Sequence, residues 1–507
     1  HRAADLGIDV FRIFDALNDV RNLRTATEAV KTFGKHAQGT ISYTTSPVHG
    51  IAQFVELAEG LAEMGCDSIA VKDMAGLITP TAAGELVKEL RRAVSVPIHM
   101  HSHATTGLAE MSHLKAVEAG CRHIDTALAA FANSTSHPAT ETMVAALRDT
   151  PHDTELDLEA IQEVSAYFTE VRRKYHQFEG EWHGVDTRVL VNQVPGGMIS
   201  NLHSQLRQQG ALDKLNEVLR EIPRVRADLG YPPLVTPTSQ IVGTQAVFNV
   251  ITGERYKTIT NEVKLYLKGR YGRTPGPVNS EVRQRAIGNE PVIDGRPADL
   301  LPPEMHRLRE DIGELAQSEE DVLTFAMFPE IGREFLEQRA AGKLVPEPLE
   351  PPRKASDEGE PAPMEFNVTL HGETYHIQLT GTGHKHQRQR PFFMTVDGIP
   401  EEILVESLRE LPSGVQQPTP SGTGGEKALG GRPRATKPGD VTTTMPGSIV
   451  DVLVNEGDEV SAGDPLLITE AMKMETEITS PIGGKVVAVF VAKGDAVTPD
   501  ETLLEIA

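Results

Sequence analysis

At 507 residues the chain exceeds one ordinary domain, and two to four separately packed units are expected, each able to bury its own core. A hydrophobic content of 39%, a charged content of 24% and a net charge of −23 describe a globular protein and argue against nucleic-acid partners or an anionic membrane surface. No run approaches the roughly 18 apolar residues of a membrane span. Cys66 and Cys121 sit in helix-to-strand connections with no disulfide or secretion pattern, which fits a reducing cytoplasm.

The chain opens on His1 and a short helical stretch, Ala3 to Gly7, so we expect its true beginning to be missing. Strand-like runs follow at Ile8 to Phe14, Gly39 to Thr45, Asp67 to Met74, Val96 to His103 and His123 to Ala129. Helical patterns at Thr25 to Lys35, Ile51 to Gly65, Thr81 to Val94 and Leu108 to Gly120 alternate with them. Apolar strands joined by helices predict a parallel sheet, either doubly wound or a (β/α)₈ barrel. Polar residues cluster at the strand C-terminal ends, where both architectures carry their chemistry.

From Thr150 to Lys343 helical patterns dominate and predict a largely helical second domain spanning 151–344, after a first domain over 1–150. Val345 to Pro363 reads as a charged, proline-rich linker (345–364), and Phe366 to Leu379 with Phe392 to Glu406 as a small β module (365–410). Leu411 to Asp440 is a Gly/Pro/Ser/Thr-rich linker (411–440). In the last segment, 441–507, Gly447, Ile449, Gly457-Asp458, Val460 and Leu466 recur as Gly484, Val486, Gly494-Asp495, Val497 and Leu503. Such a repeat predicts two similar half-sheets with an exposed turn between them.

Lys473 lies in that turn, within Glu470-Ala471-Met472-Lys473-Met474. A lysine at a hairpin tip is open to a modifying enzyme, and Met472 and Met474 give a soft apolar surface beside it. An ordinary surface lysine is the plainer alternative. His99, His101 and His103 alternate along a strand, so their side chains share a face. Imidazoles at a catalytic strand end suit Zn²⁺ or a similar divalent ion, while three water-facing histidines would look the same in sequence.

With Val71-Lys72-Asp73-Met74-Ala75-Gly76 and the carrier segment, this pattern resembles the biotin-dependent carboxyltransferases acting on pyruvate and oxaloacetate. The resemblance implies an incomplete (β/α)₈ TIM barrel lacking about two units, a helical domain and an all-β biotinyl domain of hammerhead type. It implies biotin on Lys473, set by a biotin protein ligase; a lipoyl domain shares the fold. It also implies a divalent metal, Zn or else Mn or Co, held by carbamylated Lys72, His101, His103 and an aspartate expected ahead of His1. The matching arginine, Arg12 in Val10-Phe11-Arg12-Ile13-Phe14-Asp15, holds the keto acid in that family, and Thr135 moves a proton between biotin and substrate. Plainer readings are a buried Lys72 paired with a carboxylate, a structural salt bridge at Arg12 and a helix N-cap at Thr135.

The implied reaction moves a carboxyl group between oxaloacetate and biotin, giving pyruvate and carboxybiotin. Two branches stand close. One is the oxaloacetate decarboxylase alpha subunit, a lyase whose membrane partners pump sodium and would hold it at the inner membrane. The other is the separate B subunit of two-chain pyruvate carboxylase, partnered by a biotin carboxylase. Tyr43 to His49 and His101 to Gly107 resemble this pair, with the decarboxylase favoured. An oligomer is expected. A carrier with an inactive barrel and a biotin-independent lyase are the alternatives. The 30 residues of the second linker would span roughly 30 Å, enough for a swinging arm.

Overall fold

The computed structural model describes residues 1–179, 184–208, 211–346, 349, 365–370, 372–382, 389–406, 432, 433, 435, 437, 439–443, 447–471, 474–498 and 501–507. They fall into two compact units, His1–Leu349 with Arg432–Ala507, and Glu350–Gly431. Both expected linkers lie largely outside the described residues.

Five strands, β1 (Val10–Phe14), β2 (His36–Ser42), β3 (Ser68–Asp73), β4 (Ile98–Ser102) and β5 (His123–Ile124), pair in parallel in the order 1-2-3-4-5. After a short helix α1 (Arg2–Asp5), the helices α2 (Val20–Thr32), α3 (Ile51–Glu63), α4 (Pro80–Ala93) and α5 (Ala109–Glu118) alternate with them. A doubly wound sheet reverses its order at a switch point. The unbroken sequential order is instead that of consecutive units of a (β/α)₈ barrel.

Ile69, Val71, Leu86, Leu90 and Met100 are fully enclosed between strands and helices. Each such side chain contributes about 1.5–3 kcal/mol of hydrophobic stabilisation. Local chemistry moves two element ends away from the sequence expectation. Helix α2 starts five residues early because Asp19 caps it, accepting from the Arg21 amide at 3.2 Å. Strand β5 lasts two residues, because beyond Asp125 the chain turns to the next segment: the Ala127 amide bonds the Pro138 carbonyl at 3.0 Å.

Helices α6 (Thr140–Leu147) and α7 (Leu158–Lys174) lead into a helical region containing α8 (Val189–Asn192), α9 (Gly196–Gln208), α10 (Leu215–Asp228), α11 (Thr238–Ile251) and α12 (Asn261–Leu267). Buried Arg226 of α10 ties this region to the loop after β2, donating to Thr44 Oγ1 at 2.8 Å and the Thr45 carbonyl at 3.2 Å. Burial lowers its pKa to about 10, against the opposing influence of Tyr231 and Tyr266.

In the second unit, β6 (Glu365–Leu370), β7 (Glu373–Thr382), β8 (Gln389–Val396) and β9 (Ile399–Glu406) form an antiparallel meander. Val396 pairs with Ile399 across Asp397-Gly398, both with positive φ, the geometry of a tight hairpin turn.

Beginning with β10 (Asp440–Val441), β11 (Gly447–Val452) and β12 (Glu459–Val460), the C-terminal segment forms two four-stranded sheets, and its sequence repeat is realised crosswise. Gly447 pairs with Val497, while the equivalent Gly484 pairs with Val460. Likewise the Gly457 amide bonds Val486 and the Gly494 amide bonds Ile449, each at 2.8 Å. Leu466 and Leu503 are fully buried at equivalent places, so each repeat completes the other's sheet and one core serves both. Among the described residues no helix is long and apolar enough to cross a membrane.

Candidate active site

Parallel register gathers polar side chains from successive strands at the C-terminal edge of the sheet. Arg12 of β1 lies beside Gln38 of β2, Lys72 of β3 beside His101 of β4, and His99 beside His123. Asp125, the first residue after β5, is their hub. It accepts from Arg12 Nη1 at 2.5 Å, His99 Nε2 at 2.6 Å and His101 Nδ1 at 2.6 Å. Burial disfavours the Asp125 carboxylate, yet the hydrogen bonds from His101, His99 and Arg12 outweigh it and hold the group ionised well below the usual carboxylate range. Arg12 Nε also reaches Gln38 Oε1 at 2.5 Å. Neither Asp125 nor Gln38 stood out in the sequence.

An anionic Asp125 can only accept, so the proton of His101 sits on Nδ1 and Nε2 carries the free lone pair. That Nε2 is buried and has no hydrogen-bond partner among the described residues. Enclosing such a nitrogen unsatisfied costs about 1–3 kcal/mol, and a cation that accepts its lone pair removes the cost. His103, just beyond the strand, donates from Nδ1 to the Thr135 carbonyl at 2.6 Å. Burial, then the surrounding imidazoles and Lys72, lower its pKa to about 4 against the opposing bond to Thr135, so it is neutral at pH 7. The donor chemistry therefore fits a divalent metal.

Lys72 shares the cluster, its Nζ 4.0 Å from the Phe14 ring centroid. Burial and then the Arg12 charge lower its pKa, and no carboxylate pairs with it among the described residues. Neighbouring Asp73 faces away, accepting from the Leu77 and Ile78 amides and from Ser102 Oγ at 3.1 Å. A lysine whose charged form is disfavoured is suited to add CO₂ as a carbamate.

The loop after β5 is bent by left-handed residues Asn133 and Ser134, which turn the Thr135 carbonyl toward His103. Thr135 does not cap α6, whose N-cap is Ala139. A third imidazole, His137, enters from the same loop, its ring centroid 4.4 Å from that of His101 and 4.7 Å from that of His103. The helical region closes on this loop at Gly196, where a Cβ would meet the Thr135 methyl at 2.6 Å. Only a glycine permits that approach.

In the C-terminal domain β13 (Pro465–Ala471) and β14 (Met474–Thr479) form a hairpin in which Ala471 pairs with Met474. Met472 and Lys473 are the two residues between that pair, and they and the Met474 side chain lie outside the described residues, as does Met445-Pro446. Lys264 of α12 pairs with Glu477 of β14 at 2.9 Å.

Three family models match: an HMGL-like model over residues 8–167, a conserved carboxylase domain over 189–379 and a biotin-requiring enzyme model over 439–506. The chain is 47% identical over 480 residues to the pyruvate carboxylase B subunit of Methanocaldococcus jannaschii, covering 93% of this chain and 76% of that protein. It is 44% identical to the 2-oxoglutarate carboxylase large subunit of Hydrogenobacter thermophilus, covering 100% of this chain and 79% of that protein. In structure it is similar to the carboxyl transferase domain of Rhizobium etli pyruvate carboxylase with pyruvate, at a TM-score of 0.66 and 30% identity, over 80% of this chain and 71% of that one. With its sequential barrel strands and its carrier segment, the chain belongs to the biotin-dependent carboxyltransferases, the family that holds the B subunits of pyruvate carboxylase.

Proposed function

We propose that this protein transfers a carboxyl group from biotin on Lys473 to the methyl carbon of pyruvate, giving oxaloacetate. The observation that carries this reading is the Nε2 of His101, buried and without a hydrogen-bond partner among the described residues, beside Lys72 at the C-terminal end of the barrel strands, in a chain that also holds a biotinyl domain. The decarboxylase direction favoured by the sequence is the same chemistry reversed. The names of the two relatives reported above favour carboxylation, with a separate biotin carboxylase as partner and no membrane partner required.

In this reading His101, His103 and Lys72 as its carbamate hold a divalent metal, Zn²⁺ or else Mn²⁺ or Co²⁺. The bound ion supplies Lewis-acid polarisation of the keto oxygen. Arg12, oriented by Asp125 and Gln38, holds the keto acid by its carboxylate, so that the methyl carbon faces biotin. Thr135 Oγ1 takes the proton from the methyl carbon and passes it to the ureido nitrogen as the carboxyl group leaves. Gly196 lets the helical region shield this transfer from water. We assign 1–150 to the barrel, 151–344 to the helical domain, 365–410 to a β module and 441–507 to the carrier, with 345–364 and 411–440 as linkers.

Incorporation of labelled bicarbonate into oxaloacetate, with ATP, pyruvate and a biotin carboxylase, tests the reading. The wild type should fix label only when biotinylated at Lys473, and Lys473→Arg should fix none. Activity that survives this substitution would sink the proposal. Because one relative carries a 2-oxoglutarate carboxylase name over the full span of this chain, 2-oxoglutarate belongs beside pyruvate in the assay.

A further inference from the structure

Arg12 is held on two sides, and its two holders are joined to each other. Asp125 accepts from its Nη1 at 2.5 Å and from its Nη2 at 3.4 Å, and Gln38 Oε1 accepts from its Nε at 2.5 Å. His99 stands between the holders, with Nε2 2.6 Å from Asp125 Oδ1 and Nδ1 3.3 Å from Gln38 Nε2. Arg12 of β1, Gln38 of β2, His99 of β4 and Asp125 after β5 therefore close a ring of hydrogen bonds.

The polarity of each bond in this ring follows from the one before it. A guanidinium only donates, so Gln38 turns its oxygen to Arg12 and its amide nitrogen to His99. That nitrogen only donates in turn, so His99 Nδ1 accepts and the imidazole proton sits on Nε2, where the Asp125 carboxylate accepts it. Arg12 Nη2 also lies 3.3 Å from His99 Nε2, but both atoms are then donors, and the shorter bond to a carboxylate sets the tautomer. The amide of Gln38 is anchored further by Ser68 Oγ at 3.0 Å, itself 2.7 Å from His36 Nε2. Gln38 and Ser68 are each 4% exposed, so water does not readily replace a lost partner there. Of the five N–H groups of a guanidinium the ring occupies three, which leaves two for a keto acid and fixes where they point.

We propose that His99 is a positioning residue for keto-acid binding, acting through Gln38 and Asp125 to aim Arg12. The inference rests on the reading in which Arg12 holds the keto acid, and it names the side chain that locks Arg12 in that pose. A carboxylate is held alike before and during carboxyl transfer, so a misaimed Arg12 weakens binding and leaves the transfer step itself unchanged.

His99→Phe keeps a ring of similar shape and removes both bonds, whereas His99→Gln keeps an N–H for Asp125 and an oxygen for Gln38. Pyruvate is titrated calorimetrically into the full chain, and KM and kcat are measured with bicarbonate, ATP and a biotin carboxylase. We expect Kd and KM for pyruvate to rise about tenfold or more in His99→Phe, with kcat within about threefold of wild type, and both constants to return to within about threefold in His99→Gln. Gln38→Met opens the same ring elsewhere; it should raise KM to a similar degree, and the double variant no further. Wild-type Kd and KM in His99→Phe would overturn the role of His99 and leave that of Arg12 standing. A fall in kcat at unchanged KM, a defect that His99→Gln does not restore, or fully additive effects of His99→Phe and Gln38→Met would overturn it as well. A wild type that binds neither pyruvate nor 2-oxoglutarate would overturn both this inference and the reading beneath it.

Discussion

The catalytic edge of the barrel and the carrier hairpin solve opposite problems. At the sheet edge three candidate groups are held by residues distant in sequence: Arg12 by Asp125, His101 by Asp125, His103 by the Thr135 loop. In the carrier, two copies of one short pattern complete each other's sheets, and Met472-Lys473 fall in sequence between two paired residues of a single hairpin. The barrel site is therefore tied together through one shared anion, Asp125. The carrier's described strands are held by their own pairing and by one shared core.

The sharpest way to separate the two is Lys473→Arg. We expect carboxyl transfer to fall by at least about 10³-fold, the loss typical of removing a group the chemistry requires. Metal content and thermal unfolding of the variant should match the wild type. A variant that also lost metal would show that the regions are not independent.

On the barrel side, Asp125→Asn removes the anion shared by Arg12, His99 and His101. We expect about 2 kcal/mol of lost stability in urea unfolding, less than the roughly 3–5 of a wholly buried pair because 23% of the side chain is exposed. Metal affinity should fall about 10–100-fold, since His101 is no longer fixed in its tautomer. Biotinylation of Lys473 should be untouched, and mass spectrometry checks it.

A smaller effect comes from His113, wholly buried on α5 behind the same strand. Burial lowers its pKa to about 4, against the opposing bond to the Ala109 carbonyl. Its folded pKa lies below the unfolded value near 6.5, so between pH 6.5 and 4 the unfolded chain binds a proton that the folded chain refuses. Stability should fall as the pH drops through that window, by up to about 1.4 kcal/mol per pH unit. His113→Gln should flatten the slope of unfolding free energy against pH by that amount, and an unchanged slope would mean that His113 is protonated in the fold.

The same contrast governs how much could be read from sequence. The carrier was legible because its two halves need the same glycines at the same turns, and repetition survives in a linear string. The barrel was legible as alternating apolar strands and helices, and the histidines through their period of two. What could not be read were Asp125, which falls where the expected strand His123 to Ala129 breaks off after two residues, and His137, which lies on irregular chain where no periodicity marks it. Alternation also made His99, His101 and His103 equivalent, whereas His99 meets Asp125 through Nε2 and His101 through Nδ1. That difference decides which ring keeps a free nitrogen, and it arises from ring rotation set by a partner on another strand. Thr135 suited an N-cap in sequence, but the left-handed Asn133 and Ser134 carry it away from α6 and turn its carbonyl to His103.

The carrier meets the helical region that follows the barrel at Lys264 and Glu477, whose side chains are 30% and 36% exposed and sit 2.9 Å apart. An exposed pair of this kind contributes about 0–1 kcal/mol and weakens with salt. Lys264→Ala should therefore shift the unfolding of neither region by more than about 1 kcal/mol, with the difference from wild type vanishing near 1 M salt. Hydrogen exchange on β14 is the more sensitive measurement, because a lost contact raises exchange there while the paired amides of β13 stay protected. Exchange that rises through the whole carrier sheet would mean that the carrier's stability depends on the helical region after all. The distinction between a self-contained carrier and a network-held active site would then fail through a charge pair between the carrier and the helical region.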